Sequence, residues 1–225
     1  MGKKVAGKGD DAGREAAPKS RPVRADAQRN IDTLLQTAMA VFATSGVDAP
    51  VREIAEKAGV GVGTMYRHFP ERSDLIGAVF RHEVDACADA ASVLATEYEP
   101  GEALARWMQR YVDFIAAKRG LAAALHSGNP AFDTLPAYFE KRLLPALQTL
   151  LEAAATTGEM RADVEPYDLL RAVALLCTPA QDKDTSHARG MVALLVDGLR
   201  YGANPSAKTP SLPRRVRQRG KNARP

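Results

Sequence analysis

VREIAEKAGVGVGTMYRHF, residues 51–69, decides the fold of this chain. The spacing predicts a short helix over residues 51–58 with Ile54, Ala55 and Ala58 on its inner side and Arg52 projecting outward. Gly59 supplies the left-handed residue that ends it, and Val60 plugs the corner. A second short helix follows over residues 62–68, with Met65 and Phe69 packed inward and Thr64, Tyr66, Arg67 and His68 turned outward. Ala55 is small where two helices cross steeply after a three-residue turn, a place with no room for a larger side chain. The pattern is a helix-turn-helix, whose second helix fits the major groove of DNA.

The residue types in the second helix suit that groove. Gly61, Val62 and Gly63 open it, so backbone comes close to DNA and free N–H groups face a phosphate. Thr64, Tyr66 and His68 are compact hydrogen-bond donors for phosphates or base edges. Arg67 reads a guanine or pairs with a phosphate; the sequence leaves both open. Taken alone, Tyr66 and His68 would be ordinary packing residues of a small domain, and only the surrounding motif favours contact.

Outward from this core the matching pieces accumulate. LLQTAMAVFATSGV at residues 34–47 precedes the motif, and ERSDL at residues 71–75 opens the next helix. Together, residues 31–75 resemble the N-terminal domain of tetracycline-repressor (TetR) family regulators. The ordered string is more specific than any one piece. Downstream, RWMQRYVDFIAAKRGLA and LLVDGLRYGA are similar to the SbtR-type branch of that family. The resemblance implies that Thr64, Tyr66 and His68 clamp backbone phosphates. It also implies that Arg72, where members commonly carry Lys, meets a phosphate at the start of the fourth helix. The chain departs from the family in having Pro50 where many members have Ser or Thr, and Gly61 where many have Ser. Each change removes a hydroxyl able to cap a helix or touch a phosphate.

Charge is divided along the chain. The net +4 of the 225 residues comes from two basic ends, residues 1–24 and 203–225, which sum to +11 around a body of −7. Even residues 25–80 hold five basic and seven acidic groups, so placement, not bulk charge, must carry DNA binding. Both ends read as disordered. The N-terminal arm either solvates the protein or follows the phosphate backbone, with Arg21 and Arg24 reaching a minor groove. The C-terminal tail, with Arg214, Arg215, Arg217 and Arg219, reads as a solvated tail. No apolar run approaches the ~18 residues of a membrane span, and no signal peptide opens the chain. Cys87 and Cys177 sit in apolar helical patterns as buried, reduced thiols, which suits a cytoplasmic protein.

Ala and Leu recur at helical spacing and nothing alternates as a strand would, so the expected fold is all-α. A first helix carries Ile31, Leu34, Leu35, Ala38 and Phe42 and closes at Gly46. Ser73 is the expected cap of a long helix reaching about residue 95, long enough to link two domains. The expected division is a helix-turn-helix DNA-binding domain over residues 25–80 and a helical effector-binding and dimerisation domain over 81–202. In the second, helices are expected over residues 102–119, about 121–126 and about 135–157, with Pro145 kinking or breaking the last. Two closing helices, residues 167–178 and 186–201, are apolar over most of their circumference. Such helices bury more than one face, which points to a homodimer built on a two-fold four-helix interface. The resemblance implies the same. It also places an effector cavity among the middle helices, where Trp107, Met108, Tyr111, Phe114, His126, Phe132, Tyr138 and Phe139 are candidates beside their plainer role as core. That mix favours an apolar or aromatic effector with few charges.

Enzyme readings fare poorly. His68, His82, His126 and His187 are scattered without zinc-site spacing, the cysteines form no CxxC pair, and GVGTMY lacks the GxGxxG pattern after a strand. No metal and no cofactor is expected. The expectation is a homodimeric, ligand-responsive repressor that binds a pseudo-palindromic duplex and lets go when a small molecule binds. The alternative is an architectural DNA-binding or scaffolding protein without small-molecule input, motivated by the basic ends.

Overall fold

The structure is a computed structural model that describes residues 20–177 and 185–201, with side chains from Gln28 onward. Among the described residues there are helices and no strands. The order is α1 (Ser20–Ser45), α2 (Val51–Lys57), α3 (Val62–His68), α4 (Arg72–Glu97), α5 (Pro100–Lys118), α6 (Ala122–Leu125), α7 (Leu135–Thr156), α8 (Pro166–Leu176) and α9 (Ser186–Tyr201). Single 3₁₀ turns at Arg119–Leu121 and Pro130–Phe132 flank α6. The C-terminal tail lies outside the described residues. α1 starts at Ser20, well before Ile31 and inside the arm expected to be disordered. Pro22 falls in its first turn, where a missing N–H costs nothing, and alanines follow. The side chain of Arg24 lies outside the described residues.

Glycines mark the corners. Gly46, Gly59, Gly128 and Gly158 all take positive φ, between 68° and 77°, the region closed to most side chains. At Gly59 this conformation turns the chain so that Val60 N–H reaches Ala55 C=O (2.9 Å) and α3 starts three residues later. The cap of α4 differs from expectation. Glu71, not Ser73, is the N-cap, and Asp74 accepts from the Glu71 N–H (2.9 Å) in a capping box. Ser73 instead donates to the Glu71 carboxylate (3.1 Å). α7 runs unbroken through Pro145, so the helix is not broken there. Packing of Leu143, Leu147, Leu150 and Leu151 on the core offsets the one lost backbone bond.

One buried cluster runs through the whole body, from Leu34 on α1 to Leu199 on α9. α4 is its spine: it packs against α1 at its start and against α5 and α7 along the rest. At ~1.5 Å per residue its 26 residues span roughly 39 Å. Polar ties lock it to α7, where Tyr138 Oη donates to Asp85 (2.7 Å) and Arg142 reaches Asp85 (2.6 Å) and Asp89 (2.8 Å). α9 is held to α5 by ion pairs from Arg189 to Asp113 and from Arg200 to Glu102 (3.9 Å). α8 and α9 bury Leu169, Leu170, Val173, Val192, Val196 and Leu199 inward, yet leave Leu175 and Leu194 more than 60% exposed.

Candidate nucleic-acid interface and small-molecule cavity

The helix-turn-helix forms with its inner and outer sides as the sequence predicts. Ile54 and Ala55 are fully enclosed, Met65 is 1% exposed, and Phe69 and Val60 are half-buried against the same cluster. The enclosure of these residues fixes which way α3 turns its other side. Gly61, Gly63, Thr64, Tyr66, Arg67 and His68 are exposed, with Tyr66 at 53% and Val62 half-buried. Arg52 stands exposed on the neighbouring α2. Neither Arg52 nor Arg67 has an ion-pair partner among the described residues, whereas Lys57 is held by Glu53 (2.8 Å). Pro50 and Gly61 both serve as N-caps without a side-chain hydrogen bond, so the departures from the family pattern leave those helix starts uncapped. The amides of Val62 and Gly63, in the first turn of α3, have no acceptor within the helix.

Arg72 opens α4 and is half-buried, not exposed. Its guanidinium turns back under α1, donating to the carbonyls of Val47 and Ala49 and lying 5.9 Å from the centre of the Phe42 ring. It thereby ties down the loop that precedes α2. Sequence reasoning missed this because the two carbonyls lie more than 20 residues upstream.

The aromatic candidates divide into two sets. Trp107, Met108, Tyr111 and Phe114 are enclosed in solid core. Trp107 stacks on Tyr111 (5.8 Å), Tyr111 on Phe114 (5.9 Å), and Phe114 on Phe139 (5.9 Å), while Trp107 Nε1 donates to the Cys87 carbonyl (2.9 Å). Burial pushes the Cys87 thiol up to about 12, and Cys87 and Cys177 are free thiols. Tyr138 is tied to Asp85 and its ring faces Arg81. The second set, His126 and Phe132 with Phe139, lines a cavity of about 300 Å³. Phe80 of α4, Leu125, Leu135 and Pro136 complete the apolar wall, and Lys118 from the end of α5 joins them. Phe80 and Lys118 were not among the expected lining residues. Phe80 falls on the inner stripe of α4, and a lysine ending a helix reads as a complement to the helix dipole, so neither carries a local signal of a cavity.

The cavity adjoins the DNA-binding end. Phe132 also lines a neighbouring cleft with Val47, Asp48, Arg72 and Ile76. Two residues beyond Lys118, Gly120 lies so close to α1 that an added Cβ would stand 2.6 Å from the Phe42 carbonyl oxygen and 2.9 Å from Ala43 Cα. No described helix is long and apolar enough to cross a membrane.

Comparisons with known proteins agree with this layout. Residues 34–79 match the bacterial regulatory proteins of the TetR family, and residues 99–201 match the C-terminal domain of SbtR-like transcriptional regulators. A TetR transcriptional regulator from Streptomyces coelicolor is similar at 38% identity and a TM-score of 0.64, over 75% of this chain and 97% of that one. A TetR regulatory protein from Mycobacterium vanbaalenii is similar at 37% identity and 0.64, over 80% and 99%. Helix-turn-helix transcriptional regulators of Staphylococcus aureus match at 27% identity over 109 residues, 48% of this chain; the chain spans 59% of the length of those curated relatives. This protein is therefore a member of the TetR family, a DNA-binding transcriptional regulator with an SbtR-like C-terminal domain.

Proposed function

We propose that the protein is a homodimeric, ligand-responsive repressor acting in the cytoplasm on a pseudo-palindromic operator. The observation that carries the reading is the two-sided build of α3. Buried Met65 fixes the helix, and Thr64, Tyr66, Arg67 and His68 stand outside it as donors. These four, with Arg52 and the free amides at residues 61–63, contact one half-site. Arg24, at the far end of α1, is the candidate for a minor groove. The DNA-binding part spans residues 25–80 and the regulatory part 81–202, joined through α4.

The second copy docks on α8 and α9. Gly190, Leu194, Gly198 and Tyr201 fall on one open face of α9, with Leu175 and Leu176 exposed at the end of α8. The two glycines meet no heavy atom where a Cβ would be, which leaves room for a partner helix to come close. In such a dimer the two α3 helices lie about one DNA turn, ~34 Å, apart. The small-molecule effector enters the cavity between α4 and α7. It shifts α4 and the turn at Gly120 against α1, and so changes the spacing of the α3 pair. It acts only to the extent that it binds the two arrangements with different affinity.

Selection of bound fragments from the host's own genomic DNA tests the reading. The full-length protein should enrich a two-fold symmetric site with half-sites one turn apart, and a variant carrying Thr64→Ala with Tyr66→Phe should lose that enrichment. Equal recovery of scrambled duplex by the unaltered protein would end the proposal.

A further inference from the structure

We infer that the effector is an organic anion, an aromatic or short aliphatic carboxylate whose charged end pairs with Lys118 and whose body fills the cavity against Phe80, Phe132 and Phe139. The inference rests on the cavity being the effector site and adds to it the chemistry of the ligand. Its starting point is a cation in the wrong surroundings. Lys118 is half-buried at the end of α5, and five of the seven other lining residues are Phe, Leu or Phe-like apolar walls with only His126 polar beside Pro136. Among the described residues no acidic side chain stands within ion-pair distance of it, whereas three other half-buried cations of the regulatory part, Arg142, Arg161 and Arg189, are each paired with an aspartate.

Lysines at apolar surfaces ordinarily lay down their methylenes and carry the ammonium to water. Lys118 instead stays half-buried in the cavity wall, where desolvation holds its pKa below the usual lysine range with no acidic side chain to offset the cost. A carboxylate arriving beside it supplies that charge in a site of reduced dielectric, where the pairing is worth more than at an open surface. His126 lies at the same wall with Nδ1 at 2.8 Å from the Ala122 carbonyl, an arrangement that keeps the ring in place and leaves Nε2 for the ligand. The volume, about 300 Å³, is at the lower end of small-molecule sites, which run to ~1,000 Å³. It therefore selects a compact body. An uncharged apolar effector, which the aromatic residues alone favour, would leave Lys118 half-buried without a counter-charge.

The test compares 3-phenylpropanoate with 3-phenylpropanol by titration calorimetry, on the full chain and on Lys118→Met, each alone and with operator DNA. The expected result is at least ~10-fold tighter binding of the acid by the unaltered protein, the fold equivalent of about 1.4 kcal/mol. In Lys118→Met the preference disappears, and an unchanged melting temperature shows that the variant is folded. Equal binding of acid and alcohol, or a preference untouched by Lys118→Met, overturns the anion inference and leaves the cavity as the effector site. Binding of neither probe overturns both readings.

Discussion

α3 and α9 are both amphipathic helices that bury one side and leave the other uncovered, and they differ in what the uncovered side is made of. On α3 it is chiefly Thr64, Tyr66, Arg67 and His68; on α9 it includes Gly190, Leu194, Gly198 and Tyr201 beside the polar His187 and Asp197. A polyanion is recognised by donors and cations that keep their hydration until contact, because each phosphate met releases counterions. A second copy of a protein is recognised by apolar area and by room for close approach. The proposed partners, DNA for α3 and a second copy for α9, follow from these exposed sides, although the inner sides, Met65 in one and Val192 with Val196 in the other, are alike.

The comparison breaks first at α9. Leu194→Glu combined with Leu175→Glu should leave the fold intact, since both side chains are exposed and such changes commonly stay within about 0.5 kcal/mol. Sedimentation should then show a monomer, and operator affinity should fall about 1,000-fold or more as specific binding through two half-sites is lost. A dimer that survives both charges would place the partner surface elsewhere. A smaller effect is expected at Gly120. Gly120→Val drives side-chain atoms into the backbone of α1 and should cost up to about 3 kcal/mol of stability by overpacking. The variant's operator affinity should also respond less to bound effector, because the turn and α1 no longer fit together. An unchanged melting temperature and an unchanged response would show that the contact transmits nothing.

How legible these features were depends on how local their causes are. The helix-turn-helix was readable because one glycine, one alanine and a 3.6-residue period within 19 positions determine it. The exposed faces of α8 and α9 were readable as apolar excess. The aromatic residues of α5 read equally well as core or as cavity wall. Trp107 and Tyr111 turn out to stack within the core while His126 and Phe132 line open space, a division made by how α6 and α7 fold back. Arg72, Lys118 and Gly120 were opaque for the same reason: each acts on a segment distant in sequence, and nothing beside it in the chain records the partner.

The smallest expected effect separates two arginines only five positions apart. Arg67 is exposed and unpaired among the described ion pairs, while Arg72 spends its donors on Val47 and Ala49. If Arg67 meets DNA, Arg67→Met should lower operator affinity by about 1–3 kcal/mol and leave the melting temperature unchanged. A phosphate contact would flatten the salt dependence by about one charge per protomer across all sequences, whereas a guanine contact would relax specificity at one base pair. Arg72→Met should do the reverse. It strands two carbonyls and loosens the loop before α2, so stability should fall by about 1–2 kcal/mol. The salt slope should hold, because no phosphate contact is removed. Affinity should follow stability alone and recover on cooling, as the motif is re-formed by the same residues that shape it in the intact protein. A reduced salt slope in Arg72→Met would mean that this guanidinium leaves its carbonyls for the phosphate when DNA arrives, and the clamp would then be a feature of the free protein only.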